Sequence, residues 1–303
     1  MLIECVPNFS EGRKPETVEQ IARAIESMKG AVVIDRHLDA DHNRSVITFV
    51  AAPEVVVDAA LRAVATATEL IDLRTHTGQH PRIGATDVLP FVPVSGVTMD
   101  KCVALAHEAG QRIWQELSIP VYFYERAALR SDRARLENVR GKGFEQLRDQ
   151  IMTNPDCAPD IGDNRVHETA GAIAVGARPF LIAFNVNLRS KEIAIARSIA
   201  RGVRERDGGL PFVKALGFEL RSRGLIQVSM NLTDYEQTSI ARAFEAVREA
   251  AVRQSVEIAG AEIVGLLPRA ALDRKASYFP LLENFRETLV LESLLEAAET
   301  DRK

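Results

Sequence analysis

The chain has 303 residues, 46% of them hydrophobic and 26% charged, an ordinary globular mix long enough for about two domains. Thirty-eight basic residues against 42 acidic ones leave a net charge of −4, without the basic excess expected of a nucleic-acid coat or an anionic-membrane binder. Three widely spaced cysteines (Cys5, Cys102 and Cys157) argue against a disulfide framework, the N-terminus does not read as a signal peptide, and the most apolar stretch, 170–188, is cut by Arg178 and Pro179; the expected compartment is the cytoplasm.

Residues 2–6 read as a strand ended by Pro7 and Asn8. Val18, Ile21, Ile25 and Met28 recur at helical spacing behind Pro15. Residues 31–35 and 45–50 read as strands joined by the loop RHLDADHNR, and Pro53 opens a helix through Val57, Leu61, Val64 and Ile71. Irregular polar sequence follows to Asp87, then a strand over 88–94. Thr98 is placed to cap a helix carrying Val103, Ala106, Ile113 and Leu117, and residues 120–124 read as a short aromatic strand. Residues 125–152 read as broken helix, and 153–179 as a long loop of the kind that is usually functional or disordered.

In the second half, 180–188 reads as a strand, Ser190 as the cap of a helix with Ile195, Ile199 and Val203, and 213–220 with 225–231 as a hairpin across RSRG. Thr233 and Glu236 have capping-box spacing before Ile240, Phe244 and Val247. A last strand spans 261–267, and the tail is mostly helical. That order is β-α-β-β-α-β, the split-βαβ or ferredoxin-like pattern. The first half reads the same way through Val94, with a helix and a strand appended. The expected architecture is therefore α/β (α+β), with two ferredoxin-like subdomains, 1–178 and 179–303, and a ligand cleft between them.

All six histidines precede residue 168, and the first part holds 20 basic and 25 acidic residues against 18 and 17 in the second. Imidazole chemistry thus belongs to the first part. Its densest cluster is THTGQHPRIGATD, residues 75–87. Pro81 forces His80 into an extended conformation, off any helix, where it suits general acid–base work; Arg82 can clamp a carboxylate. The alternative is a solvated loop that caps neighbouring helix ends. His37, Asp39, Asp41 and His42 are metal-ligand types, but nothing completes a closed site, and no metal is expected. Asn43 and Arg44 beside them suit polar substrate contacts. GDNRVHETAGAIAVGAR, residues 162–178, could admit a flat ligand through its glycines or simply link the halves. Phosphate-loop, dinucleotide and hydrolase-elbow motifs are absent from the sequence.

Six segments in collinear order resemble the formiminotransferase domain of the glutamate formiminotransferase family: ECVPNFSEG (4–12), NRSVITFV (43–50), GQHPRIGATDVLPFVPVSGVTMDKC (78–102), APDIG (158–162), VGARPFLIAFNVNL (175–188) and QVSMNLTDYE (227–236). The resemblance runs from about residue 2 to about residue 270. It implies transfer of the formimino group of N-formimino-L-glutamate to tetrahydrofolate, late in histidine degradation, by a homodimer without a metal. It places the catalytic histidine at His80 and the folate-binding segment at Gly162, Asp163, Asn164, Arg165, Val166, His167, Glu168, Thr169, Ala170 and Gly171. Gln79 stands where the family usually has Glu, Asp163 and Glu168 where it often has Pro, and His37 where mammalian members have Asp. The fused cyclodeaminase of the animal enzymes has no counterpart here, so a separate cyclodeaminase is expected.

Asn8, Asn43, Arg44 and Arg82 are the expected substrate contacts, and with Arg165 and Arg178 the arginines are expected to make a locally positive cleft in the more acidic half. Two other readings stand beside this one. One is formyl transfer between 5-formyltetrahydrofolate and glutamate; the other is a non-catalytic folate- or amino-acid-binding regulator.

Overall fold

A computed structural model describes residues 1–40, 43–78, 81–141, 143–220 and 223–300, the side chains of 297–300 excepted. It divides into two compact units, Met1–Arg178 and Pro179–Lys303. Among the described residues no helix is long and apolar enough to cross a membrane.

In the first unit, Leu2–Cys5 (β1) and Asn8–Phe9 (β2) are one strand broken at Val6–Pro7. Proline has no N–H for the ladder, and the Pro7 carbonyl instead accepts from the Ile47 amide at 3.1 Å. The helix Pro15–Glu26 (α1) starts on its proline, and Val32–Asp39 (β3) and Arg44–Ala51 (β4) form a hairpin. The helix Val56–Leu70 (α2), the strand Thr86–Ser95 (β5), the helix Met99–Leu117 (α3) and the strand Val121–Glu125 (β6) follow. Thr98 caps α3 as expected, accepting from the Lys101 amide at 3.2 Å. The charged stretch forms short helices, Leu136–Arg140 (α4) and Gly143–Gln150 (α5).

Two expectations need correction here. β3 extends through His37 to Asp39, so the hairpin loop is shorter than the sequence implies; β3 pairs only with β4 at the rim of the sheet, and its mixed exposure conceals the strand pattern. The supposed loop 153–179 contains the strand Ile173–Ala177 (β7), which lies between β5 and β6 and is parallel to both. Its five residues are all buried. A strand buried on both faces shows no alternation, which is why AIAVGA does not read as one.

Ile3, Cys5, Ile47, Phe49, Leu89, Phe91, Val121, Phe123 and Val175 face a core shared with α1, α2 and α3. The alternate residues Val88, Tyr122, Tyr124 and Ala174 face a second cluster, with Phe144 and Leu147 of α5. The sheet runs β3-β4-(β1,β2)-β5-β7-β6.

The second unit runs Ile182–Leu188 (β8), Ile193–Val203 (α6), Val213–Leu220 (β9), Leu225–Leu232 (β10), Ile240–Arg253 (α7), Ile258–Val264 (β11) and a tail ending in Leu291–Thr300 (α8). The β-α-β-β-α-β order read from the sequence is the order observed. The sheet is antiparallel, β9-β10-β8-β11. With β1 and β2 counted as one strand, the first four strands of the first unit have the same arrangement. Both expected caps move. Ser239, not Thr233, caps α7, because Asp234 ties the amides of Glu236 and Gln237 into a turn ahead of the helix. Ser190 likewise closes a turn on the Glu192 amide before α6 begins.

Candidate active site

Three chain segments meet at the β2 end of the first sheet, and Asn43 joins them. At φ +50°, its side chain accepts from the Gly12 amide at 3.0 Å and donates to the Thr77 carbonyl at 3.0 Å. Its own carbonyl meets Nε2 of His76 at 3.0 Å. A carbonyl only accepts, so Nε2 carries the proton and Nδ1 is the bare nitrogen. Burial lowers the His76 pKa from 6.5, with Arg82 and Arg13 adding to the effect against the opposing Asn43 bond and Glu11. Burial thus favours the neutral imidazole, in the tautomer with Nε2 protonated.

The segment around residues 78–81 is clamped at both ends. Arg13 reaches Oγ1 of Thr77 at 3.3 Å, and the Ile83 amide donates to Asp87 at 2.8 Å. Arg82 closes the loop by donating to the His76 carbonyl at 3.1 Å, and its guanidinium also meets Glu145 at 2.7 Å. His80 and Gln79, at the centre of this segment, lie outside the described residues, as do Asp41 and His42 of the hairpin.

Asn8, Asn43, Arg44 and Arg82, the four expected substrate contacts, line one pocket with Phe9, Ser10, His76 and Asp87. Arg44 donates to Oδ1 of Asn8 and lies across the β3–β4 pair from Asp39. Burial, with help from the nearby positive charge of Arg140 and against the pull of Asp87 and Asp39, lowers the Arg44 pKa to about 10. Arg140 is a residue the sequence did not single out. It pairs with Asp87, whose side chain is 4% exposed. No local pattern marks it, because it stands in a run of charged residues on a five-residue helix. Among the described residues, no group of three or more His, Cys, Asp or Glu side chains is placed to hold a metal ion.

The structure also brings the 162–171 segment to this loop. The Leu73 amide bonds the Thr169 carbonyl, the Ala85 amide the Ala170 carbonyl and the Ala172 amide the Ile83 carbonyl, each at 2.9 Å, and Gly84 and Gly171 form a bridge. Gly171 (φ +73°) admits no side chain, since a Cβ there would lie 2.3 Å from the Ile83 carbonyl. Gly162 (φ +109°) packs against Trp114, which a Cβ would meet at 2.8 Å. Between them Asp163, Asn164, Arg165 and Glu168 are exposed, while Val166 and Ala170 are buried. Nδ1 of His167 accepts from the amides of Thr169 and Ala170, which fixes the turn.

The Glu168 carboxylate, 79% exposed, is matched by Arg74 at 2.6 Å, so its charge is met outside the loop. The APDIG stretch is anchored by a buried pair, Arg133 to Asp160 at 2.7 Å, with Asp160 also accepting from the Phe123 amide at 2.7 Å. The structure does not bring Arg165 or Arg178 to the pocket. Arg165 is exposed, and Arg178 stands beside Glu4 and Tyr124, farther along β5 from Asp87.

The chain matches the family model for the formiminotransferase domain, N-terminal subdomain, over residues 2–178, and that for the formiminotransferase domain over 183–294. It is 47% identical to the glutamate formimidoyltransferase of Thermoplasma acidophilum, covering 98% of each chain. It is 42% identical to that of Streptococcus pyogenes serotype M1, over 94% of this chain and 95% of the other. It is also 42% identical to the formimidoyltransferase-cyclodeaminase of Rattus norvegicus, where the match covers 97% of this chain and 56% of the rat protein.

Proposed function

From the premise that the chain belongs to the formiminotransferase domain family, we propose that it is a folate-dependent glutamate formimidoyltransferase, moving the formimino group of N-formimino-L-glutamate to tetrahydrofolate. The observation that carries this reading is the backbone stitching of segment 162–171 to the clamped loop that contains His80. It supports the idea that folate and the proton-transfer group work side by side.

N5 of tetrahydrofolate attacks the formimino carbon, giving a tetrahedral adduct. The adduct collapses by breaking the bond to the glutamate α-nitrogen, a poor leaving group unless protonated. His80 takes the proton released from N5 and returns it to that nitrogen, the double role that imidazole allows near neutrality. Asn8, Asn43, Arg44 and Arg82 hold the amino-acid end. Residues 162–171 hold the folate, and the fixed spacing of the two segments supplies orientation.

The test is steady-state turnover with tetrahydrofolate and N-formiminoglutamate, in the wild type and in a folded His80→Ala variant. The variant is expected to lose turnover by about a hundredfold or more, and wild-type turnover in it overturns the assigned role. Faster turnover with N-formylglutamate would replace the formimino donor by the formyl one.

A further inference from the structure

A sheet edge with unpaired backbone donors and acceptors is a template for another strand. Among the described residues, three sheet edges are guarded. β3 carries Asp35, Arg36, His37 and Asp39. β6 is met at Val121 by Ile161, whose carbonyl accepts from the Val121 amide at 2.9 Å. β11 is met by the tail, where the Glu283 amide donates to the Ala261 carbonyl at 2.9 Å. β9 stands at the remaining edge and pairs with β10 alone.

The register shows which backbone groups β9 leaves open. Opposed antiparallel residues exchange hydrogen bonds at every second pair. The Thr233 amide donates to the Phe212 carbonyl at 2.9 Å, and this pair continues the β9–β10 register. The even-numbered residues of β9 therefore bond β10, and the amides and carbonyls of Val213, Ala215, Gly217 and Glu219 point outward. Arg204, just after α6, reaches the Ala215 carbonyl at 3.5 Å. A carbonyl has a second lone pair for another donor.

The two faces of this edge differ. Away from α6, Leu216 and Phe218 are 56% and 40% exposed, opposite Ser229 and Gln227 of β10. On the helix side, Gly217 lies against the backbone of Ala196 and Arg197, where a Cβ would come within 2.6 Å of α6. The Arg197 side chain and Glu219 are both exposed there.

We propose that β9 pairs antiparallel with β9 of a second copy of this chain, about a two-fold axis at Gly217. The family resemblance implies two copies but not how they meet; the proposal is the face and its register. The two Gly217 residues exchange backbone hydrogen bonds, each Ala215 pairs with the other copy's Glu219, and each Leu216 packs opposite the other copy's Phe218. Apolar side chains so opposed stabilise a strand pair. A slip of two residues one way sets Lys214 opposite Phe218, and two the other way runs Ala215 past the end of β9 at Leu220. On the helix side, each Glu219 comes within one place of the other copy's Gly217, over which Arg197 stands, so opposite charges meet across the axis. The pairing joins two four-stranded sheets into one of eight and closes at two copies, because the tail meets β11 at each outer end.

The test is sedimentation equilibrium of the full chain at about 5–50 μM, a range suited to a modest interface. The wild type is expected at twice the chain mass. Leu216→Lys/Phe218→Lys sets lysine against lysine twice across the axis and is expected to weaken the dimer about a hundredfold or more. Both positions are exposed, so its circular dichroism should match the wild type. A wild type at one chain mass, or a folded double variant as dimeric as the wild type, overturns the proposal.

A second measurement does not depend on that variant. Cys5, Cys102 and Cys157 are buried, so an introduced surface cysteine reports alone. In the proposed register Leu216 and the other copy's Phe218 have Cα atoms about 4.5 Å apart, within reach of a disulfide. An equimolar mixture of the single variants Leu216→Cys and Phe218→Cys is expected to form a disulfide-linked dimer faster than either variant alone. A mixture no faster than the single variants, or no cross-link at all, overturns it.

Discussion

Asn43→Ala is the sharpest test of how the candidate site is held together. The substitution strands the buried Gly12 amide, which costs about 1–3 kcal/mol, and removes the bond to the Thr77 carbonyl, worth about 1 kcal/mol. It also leaves an alanine at φ +50°, a left-handed conformation that costs about 1–2 kcal/mol for a residue with a Cβ and little for asparagine. The expected loss is about 3–6 kcal/mol, a large part of the stability of an ordinary domain. Asn43→Gly loses the same two bonds but not the backbone strain, so it should be more stable than Asn43→Ala by about 1 kcal/mol, although glycine is entropically the poorer residue.

Trp114 is the only tryptophan in the chain and lies on α3 of the first unit. Its fluorescence in urea therefore reads the unfolding of that unit. At a slope of about 2 kcal/mol per M, Asn43→Ala should move the midpoint down by about 2 M. A loss below about 1 kcal/mol, or an alanine variant as stable as the glycine one, refutes the assignment of Asn43 as the joint of the three segments.

Burial raises the Glu4 pKa from 4.5 to about 7, with Arg178 opposing the shift. The folded state thus holds this proton more tightly than the unfolded chain; the associated stability is full below pH 4.5 and is lost as pH rises through 7, by about 3 kcal/mol in all. Urea midpoints at pH 5, 6, 7 and 8 should show the wild type losing stability relative to Glu4→Gln as pH rises, by most of that amount across the window. The opposite slope from His76, whose lowered pKa favours the folded state at higher pH, cancels in the difference, and a difference that does not vary with pH would dispose of the idea. Gly162→Ala forces a Cβ to within 2.8 Å of Trp114 at φ +109°; it should raise the KM for tetrahydrofolate and shift the Trp114 emission, and an unchanged spectrum with unchanged KM would show that the loop does not need this geometry.

Most elements of both units were legible because each has an apolar stripe of its own. Val18, Ile21 and Ile25 face one core from α1, and Phe184, Val186 and Val228 face another from β8 and β10. What the sequence concealed depends on distant partners. β7 reads as loop because its neighbours on both sides are strands some 50 and 85 residues earlier in the chain, and only that insertion places 162–171 against 72–85. Arg140 was illegible for the same reason: its meaning lies in Asp87, 53 residues away. Asn43 and Arg44 could be named from residue type beside a loop, but the three-segment joint could not, since Gly12 and Thr77 come from separate turns.

Asn8 on β2 and Asn187 on β8 stand at like places in the two units. In each unit an asparagine on the first strand accepts a hydrogen bond from a side chain of the third: Asn8 from Arg44, and Asn187 from Gln227 at 2.8 Å. The electrostatic surroundings have diverged. In the second unit Asn187 donates to Glu262 and Glu283, and Arg223 bridges the same two carboxylates at 3.1 and 2.9 Å, so charges there are answered within the unit. In the first unit a guanidinium replaces the amide, and the Arg82–Glu145 and Arg140–Asp87 pairs stand near it. The same structural joint therefore carries a neutral amide donor in one unit and a charged one in the other. A half with a net charge of −5 thus keeps Arg44, Arg82 and Arg140 close around Asn8 and Asp87, so the charge met there is set by the few side chains packed together and not by the sum over 178 residues.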